Sequence, residues 1–288
     1  MKCNHSINVV KSLRRESMKM LSKSIGTMVL AICFALAGVD GALAATEWVE
    51  LDIGGTKVRS ILALPEGPGP HPAVIFNHGT GVRHHGYEGS KSKGQSDVKD
   101  FTDALVKDGY VALAPIRPFL ADDAYRERGR NVGSGDEWTM VVEKGIETVQ
   151  AAKAYLTGRD DVAKDKIAVV GFSEGGNVTL WTATRTPGFK AVVLMSPASI
   201  GKTKQFSLRN AARKGNVAKI KAPVLLTLGE DDLRSIKKVV TRGLIPNLED
   251  TNDGFESRTD YPGDHSWFHR VQEEHWSDVA AFLAKHLK

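Results

Sequence analysis

Short and almost wholly apolar runs recur along this chain, and they constrain its fold more than any other feature. Five of them are four or five residues long and are bounded by polar or turn-forming segments: 73–77, 110–114, 167–170, 191–195 and 224–228. Runs this short and this apolar are typical of strands that are buried on both faces of a sheet. The chain therefore predicts several central strands in one large core.

Segments with helical spacing separate these runs. They lie at 97–107, 137–156, 177–184 and 275–287, and apolar side chains recur in them at three- and four-residue steps. Two alternating segments around Gly54-Gly55, at 48–53 and 58–64, predict an opening hairpin, and 257–261 predicts a last strand. The polar, basic stretch 200–221 predicts surface loop or helix. Strands that alternate with helices indicate an α/β fold, a doubly wound and mostly parallel sheet of about eight strands.

The first 44 residues predict a secretory signal peptide. Lys19 and Lys23 precede an apolar stretch at 28–39, and Ala42-Leu43-Ala44 supplies the small residues that a signal peptidase accepts. The apolar stretch is too short to span a membrane, so no stable anchor is expected. Cleavage after Ala44 would leave residues 45–288 as one domain in the periplasm or outside the cell. Translation from Met18 or Met20 instead of Met1 would give the signal a more usual length.

The net charge of +5 belongs mostly to this leader. The first 44 residues carry six basic and two acidic residues, whereas the other 244 carry 33 basic and 32 acidic residues. The near-neutral remainder gives no electrostatic reason to expect nucleic-acid binding. Both cysteines, Cys3 and Cys33, also lie in the leader. The predicted mature chain therefore has no disulfide, no thiol nucleophile and no cysteine-based zinc site.

Gly171-Phe172-Ser173-Glu174-Gly175 matches the pattern G-x-S-x-G between a predicted strand and a predicted helix. Glycines on both sides permit a sharp turn that exposes a serine hydroxyl at the end of the sheet. The sequence therefore predicts Ser173 as a nucleophile. A serine that only caps the following helix is the alternative interpretation.

A serine nucleophile needs a base and a carboxylate beside it. His265 lies in a turn-rich loop after the last predicted strand, at the sheet edge that Ser173 occupies, and it is the predicted base, with His269 as the competitor. The run 224–228 leads into Gly229-Glu230-Asp231-Asp232 at the same edge. Asp232 is the predicted acid, and Asp231 remains the alternative.

The oxyanion that forms during acyl transfer needs backbone donors. The N–H of Glu174, directly after the nucleophile, is one predicted donor. The N–H of Thr80, in the glycine-rich loop His78-Gly79-Thr80-Gly81, is the other. His78 itself is expected to brace this loop.

Substrate and cofactor signals are weaker. Three residues are candidates for substrate binding: Arg117 in the arginine-rich segment 115–136, Tyr87 and Trp267. Such groups would favour an acidic or aromatic ester, whereas a solvated surface loop is the alternative. The neighbours His84 and His85 point apart on regular backbone, so no metal is expected, and the predicted chemistry needs no cofactor.

The order Ser173, Asp232, His265 on an alternating β/α chain resembles the α/β-hydrolase fold. Four segments resemble its dienelactone-hydrolase-like branch: 78–79, 171–176, 228–232 and 261–265. The resemblance extends from about Trp48 to the C-terminus. It departs in one respect, because proteins with the dienelactone hydrolase name often carry a cysteine where this chain has Ser173.

The sequence thus predicts an exported serine hydrolase that cleaves ester-like bonds of a small molecule through an acyl-enzyme. A serine peptidase, a lyase or perhydrolase, and a non-catalytic binding protein on the same scaffold are the alternatives. The oligomeric state is left open.

Overall fold

A computed structural model describes residues 46–117, 135–199 and 203–288 of the chain. The predicted signal peptide, residues 118–134 of the arginine-rich segment and residues 200–202 lie outside the described residues. The leader and its cleavage site therefore stay predictions.

Eight strands within the described ranges form one sheet. In chain order they are β1 (Thr46–Ile53), β2 (Thr56–Ala63), β3 (His71–Asn77), β4 (Val111–Pro115), β5 (Val162–Phe172), β6 (Ala191–Met195), β7 (Val224–Gly229) and β8 (Phe255–Tyr261). Their spatial order is β1-β2-β4-β3-β5-β6-β7-β8. The β1–β2 and β2–β4 pairs are antiparallel and the remaining pairs are parallel. The predicted doubly wound, mostly parallel sheet with an opening hairpin is confirmed.

The helices of the described ranges connect these strands. They are α1 (Thr80–Ser92, kinked at Gly86), α2 (Val98–Lys107), α3 (Gly135–Thr157), α4 (Glu174–Ala183), α5 (Leu208–Ala211), α6 (Lys214–Val217), α7 (Arg234–Val239), α8 (Ile245–Thr251) and α9 (Glu273–Leu287). A π-helical turn at Val240–Leu244 joins α7 to α8, and a 3₁₀ turn at His265–His269 follows β8. None of the helices in these ranges is long and apolar enough to cross a membrane.

Both faces of the sheet are covered, which explains why its central strands are apolar throughout. Successive side chains of a strand point to opposite faces. Accordingly, Ile167 and Val169 of β5 pack with Val149 of α3 and Val178 of α4, whereas other β5 residues pack in a second cluster with α2 and α9. The sheet thus separates two apolar layers and holds the carboxyl ends of its parallel strands at one edge.

The structure adds helical turns between β7 and β8 that the sequence interpretation lacked. More than half of residues 234–251 are polar, which obscures the helical pattern in the sequence. Four of their side chains are nevertheless buried at four-residue intervals, namely Ile236, Val240, Leu244 and Leu248. That interval is the signal that could have predicted a helical segment.

Candidate active site

Ser173 lies between the end of β5 and the start of α4 in a backbone conformation that few residues with a side chain adopt. Its φ is 55° and its ψ is −116°. The carbonyl of Ser173 accepts hydrogen bonds from the N–H of Asn177 at 3.1 Å and of Ala198 at 2.9 Å. A Cβ at Gly175 would lie 1.9 Å from the carbonyl oxygen of Asn77. Glycine is therefore required for this turn to press against β3.

His265 links Ser173 to Asp232. Its Nε2 lies 2.8 Å from the Oγ of Ser173 and its Nδ1 lies 3.1 Å from the Oδ1 of Asp232. In the tautomer that satisfies both contacts, the Ser173 hydroxyl donates to Nε2 and Nδ1–H donates to the carboxylate. The Asp232 side chain is fully buried, and the His265 side chain is 19% exposed. The arrangement can take a proton from Ser173 while Asp232 stabilises the charge that His265 gains.

The alternative residues are directed elsewhere. Asp231 is exposed, and its backbone N–H donates to the carbonyl of Gly263. The Nδ1 of His269 bonds the carbonyl oxygen of Gly94 at 3.1 Å. Of the two neighbouring acids, the structure brings only Asp232 into hydrogen-bond contact with His265.

The loops that carry the acid and the base are tied together. The N–H of Glu230 donates to the carbonyl of Tyr261 at 2.8 Å, next to the Asp231–Gly263 bond at 3.1 Å. Below this loop, Arg258 of β8 bonds Asp278 of α9 at 2.9 Å. The position of His265 therefore depends on the pairing of β7 with β8 and on the docking of α9.

The two predicted oxyanion donors are each the first residue of a helix. Glu174 begins α4 and Thr80 begins α1. The N–H groups of a first helical turn have no partner within the helix, so both are available to an anion. The Thr80 hydroxyl donates to the Glu174 carboxylate at 2.8 Å and thereby joins the two loops.

The Glu174 side chain is buried at the centre of an ion cluster. Arg83 donates to it from Nε at 2.7 Å and from Nη2 at 2.8 Å, and Arg117 donates from Nη1 at 2.8 Å. Burial alone would raise the pKa of Glu174, but the two guanidinium groups outweigh it and hold the pKa well below its usual range. One carboxylate thus holds together the loop after β3, the end of β4 and the turn that carries Ser173.

His78 braces the same loop as a neutral ring. Burial, together with the charge of Arg117, lowers the pKa of His78 to about 3. Its Nε2 accepts from the N–H of Arg117 at 3.0 Å, and its Nδ1–H donates to the carbonyl of Gly79 at 2.9 Å. A protonated ring would lose the first of these bonds.

The candidate substrate-binding residues have mostly internal contacts. Arg117 is only 3% exposed, so the alternative of a solvated surface loop is wrong for this residue: Glu174 draws its guanidinium inward. Tyr87 packs edge-on against Trp48 at 5.2 Å between ring centroids, and Trp267 stacks on Tyr261 at 5.7 Å. Their roles in substrate binding stay predictions, and the rest of the arginine-rich segment, 118–134, lies outside the described residues.

The part of the chain that the structure describes contains no group of three or more His, Cys, Asp or Glu side chains arranged to hold a metal ion. The rings of His84 and His85 are 6.2 Å apart between centroids and nearly perpendicular.

The ion cluster leads to a stability prediction. Glu174→Ala would remove the buried carboxylate that Arg83 and Arg117 share, and breaking a buried ion pair by removing one partner is costly. We expect the free energy of unfolding to fall by about 3–5 kcal/mol in urea denaturation. Glu147→Ala is the matched control, because Glu147 pairs with Lys144 while 46% of its side chain is exposed. That variant should lose less than about 1 kcal/mol. Equal losses in the two variants would contradict the importance assigned to the cluster.

Comparison with known proteins identifies the family. The dienelactone hydrolase family model matches residues 58–287. The chain is a member of the dienelactone hydrolase family. Over 197 residues it is 28% identical to the probable 2-oxo-3-(5-oxofuran-2-ylidene)propanoate lactonase of a Bradyrhizobium species, which covers 65% of this chain and 70% of that protein. The predicted resemblance and hydrolase class are confirmed, and the family suggests a small-molecule substrate.

Solved structures share the fold of this dienelactone hydrolase family member. A dienelactone hydrolase from Anabaena variabilis matches with a TM-score of 0.58 at 19% identity and covers 85% of this chain and 99% of that one. An esterase from Pyrococcus furiosus matches with a TM-score of 0.59 at 18% identity and covers 85% of this chain and 94% of that one. These likenesses confirm the α/β-hydrolase fold.

Two features of the site were missed from sequence. The Glu174 side chain was not expected to be buried, and Ser196 was not considered although it directly follows an apolar run at the same sheet edge. The position of Ser196 after β6 matches the position of the acid loop after β7, which is the signal that could have drawn attention to it.

Proposed function

We propose that this protein is a serine hydrolase that cleaves carboxylic esters, including cyclic ones, through an acyl-enzyme on Ser173. The chain of contacts from Ser173 through His265 to Asp232, at 2.8 and 3.1 Å, carries the proposal. Family membership supports the hydrolase class, and the name of the Bradyrhizobium relative adds lactones to the substrate classes worth testing.

The proposed reaction has two acyl-transfer steps. Ser173 attacks the carbonyl carbon while its proton moves to the Nε2 of His265, and the N–H groups of Glu174 and Thr80 bind the oxyanion. The same proton passes to the leaving alkoxide, which departs as an alcohol. Water then gives a proton to His265 and attacks the acyl-enzyme, which releases the acid and regenerates Ser173.

The predicted leader at 1–44 supports a further part of this proposal, that the enzyme is exported to the periplasm or beyond the cell.

A fluorophosphonate probe tests the proposed nucleophile directly. The native protein should acquire one covalent label, mapped to Ser173 by mass spectrometry, and hydrolysis of p-nitrophenyl butyrate and dihydrocoumarin should be lost in proportion to labelling. Protein denatured before exposure is the control and should not be labelled, because the reaction needs the assembled base. A native protein that is not labelled, or is labelled at another residue, would contradict the proposal and favour a non-catalytic binding protein. Digestion of short peptides but of neither ester would instead favour a serine peptidase.

A further inference from the structure

Ser196 follows β6 directly and shares an unusual backbone conformation with the proposed nucleophile. Among the described residues, Ser173 and Ser196 are the only ones with a side chain and a positive φ, and the φ of Ser196 is 43°. Ser196 is fully buried. Strained backbone of this kind persists where the surrounding structure enforces it, and it occurs most often at functional sites.

Neighbouring elements hold the Ser196 backbone in place. Its N–H donates to the carbonyl of Thr227 in β7 at 2.8 Å. On its other side, Ala198 donates to the carbonyl of Ser173 at 2.9 Å. The segment after β6 is therefore fixed between the turn of the nucleophile and the strand that leads to the acid.

The hydroxyl of Ser196 contacts both partners of the proposed relay. It donates to the Oδ2 of Asp232, and its oxygen lies 2.8 Å from the Nδ1 of His265. The Nδ1–H thus lies between two acceptors, Ser196 at 2.8 Å and Asp232 at 3.1 Å. The other carboxylate oxygen of Asp232 also accepts from the N–H of Leu233 at 2.6 Å. Ser196 therefore supplies a side-chain hydroxyl that orients the carboxylate and the imidazole together.

We propose that Ser196 is a positioning residue of the catalytic relay, which fixes the rotation of the Asp232 carboxylate and the plane of the His265 ring. The inference rests on the proposed serine-hydrolase function. It involves no contact with substrate, so its effect should fall on kcat and leave KM unchanged.

Ser196→Ala removes the hydroxyl and tests the inference. A hydrogen bond to a charged group is worth enough that kcat for p-nitrophenyl butyrate should fall about 10- to 100-fold. The labelling rate with fluorophosphonate should fall by a similar factor. Ser196→Gly is the second variant. Glycine adopts a φ of 43° without strain, so a loss of kcat in this variant cannot be attributed to backbone strain at this position.

The decisive measurement is a double-mutant cycle with His265→Ala, because both contacts of Ser196 act on catalysis through the imidazole. If Ser196 acts through the relay, Ser196→Ala should change kcat and the labelling rate by less than about threefold once His265 is absent. The same fold-loss in both backgrounds would show a structural effect and overturn the inference. Thr227→Val is the matched control, because Thr227 is also a buried hydroxyl residue, bonded to His275 at 3.0 Å, and its loss should leave kcat near that of the parent.

The failure of this inference and the failure of the proposed function are distinguishable. A Ser173→Ala protein that keeps the parent rate would contradict the proposed function itself. An inactive Ser173→Ala protein together with Ser196→Ala and Ser196→Gly proteins of parent kcat would overturn only the role of Ser196.

Discussion

Ser173→Ala should lower kcat/KM for p-nitrophenyl butyrate by about 10⁴- to 10⁶-fold while the protein stays folded. The expected loss is large because the proposed reaction has no other nucleophile: water would have to attack the ester without the covalent step. The Ser173 side chain packs at a tight turn in which alanine fits the same space, so urea denaturation should show little change in stability. Steady-state kinetics with purified protein measures kcat/KM.

The matched control for this prediction is Ser257→Ala. Ser257 is an exposed residue of β8, and its replacement removes the same group without touching the site. The Ser257→Ala protein should keep the parent rate. A Ser173→Ala protein that retains more than about a hundredth of the parent rate would contradict an acyl-enzyme on this residue.

Asp232→Asn should lower kcat by about 10⁴-fold, because an amide cannot stabilise the imidazolium and favours the wrong tautomer of His265. The chain offers a closely matched control in the preceding residue. Asp231 is exposed, and no side-chain contact joins it to His265, so Asp231→Asn should leave kcat unchanged. The two variants carry the same chemical change at adjacent positions. A difference in kcat between them therefore cannot come from a difference in net charge.

Rates measured across a pH series extend this test. The loss in Asp232→Asn should persist across the range in which the parent is active, because the defect lies in the orientation and charge stabilisation of His265. If Asp231→Asn rather than Asp232→Asn loses activity, the assignment of the acid is wrong.

Sequence alone was sufficient to predict the sheet and to select Ser173, His265 and Asp232, which the structure brings together. Buried parallel strands are apolar on both faces, so β3 to β7 stand out without any knowledge of their partners. The order of strands then places Ser173, Asp232 and His265 at one edge, because each follows the carboxyl end of a parallel strand. These inferences use only local patterns and general rules of connection.

Sequence was insufficient wherever the decisive contact joins distant residues. The burial of Glu174 depends on Arg83 and Arg117, which lie 91 and 57 positions away along the chain. In a sequence, a charged residue such as Glu174 is most readily interpreted as solvated. The role of Arg117 was similarly hidden, since only the fold reveals that its guanidinium turns inward. The contact of Ser196 with His265 spans 69 positions and depends on the pairing of β6 with β7 and of β7 with β8.

The position of α9 after His265 in the chain has a consequence for biosynthesis. Synthesis delivers Ser173 and Asp232 before His265. The loop of His265 is held by β8 and by α9, which spans Glu273–Leu287. Domains fold as their segments emerge, so we expect the proposed nucleophile of a nascent chain to stay without its base until β8 and α9 have left the ribosome. The proposed chemistry would therefore begin only after the last segment that supports His265 has been synthesised.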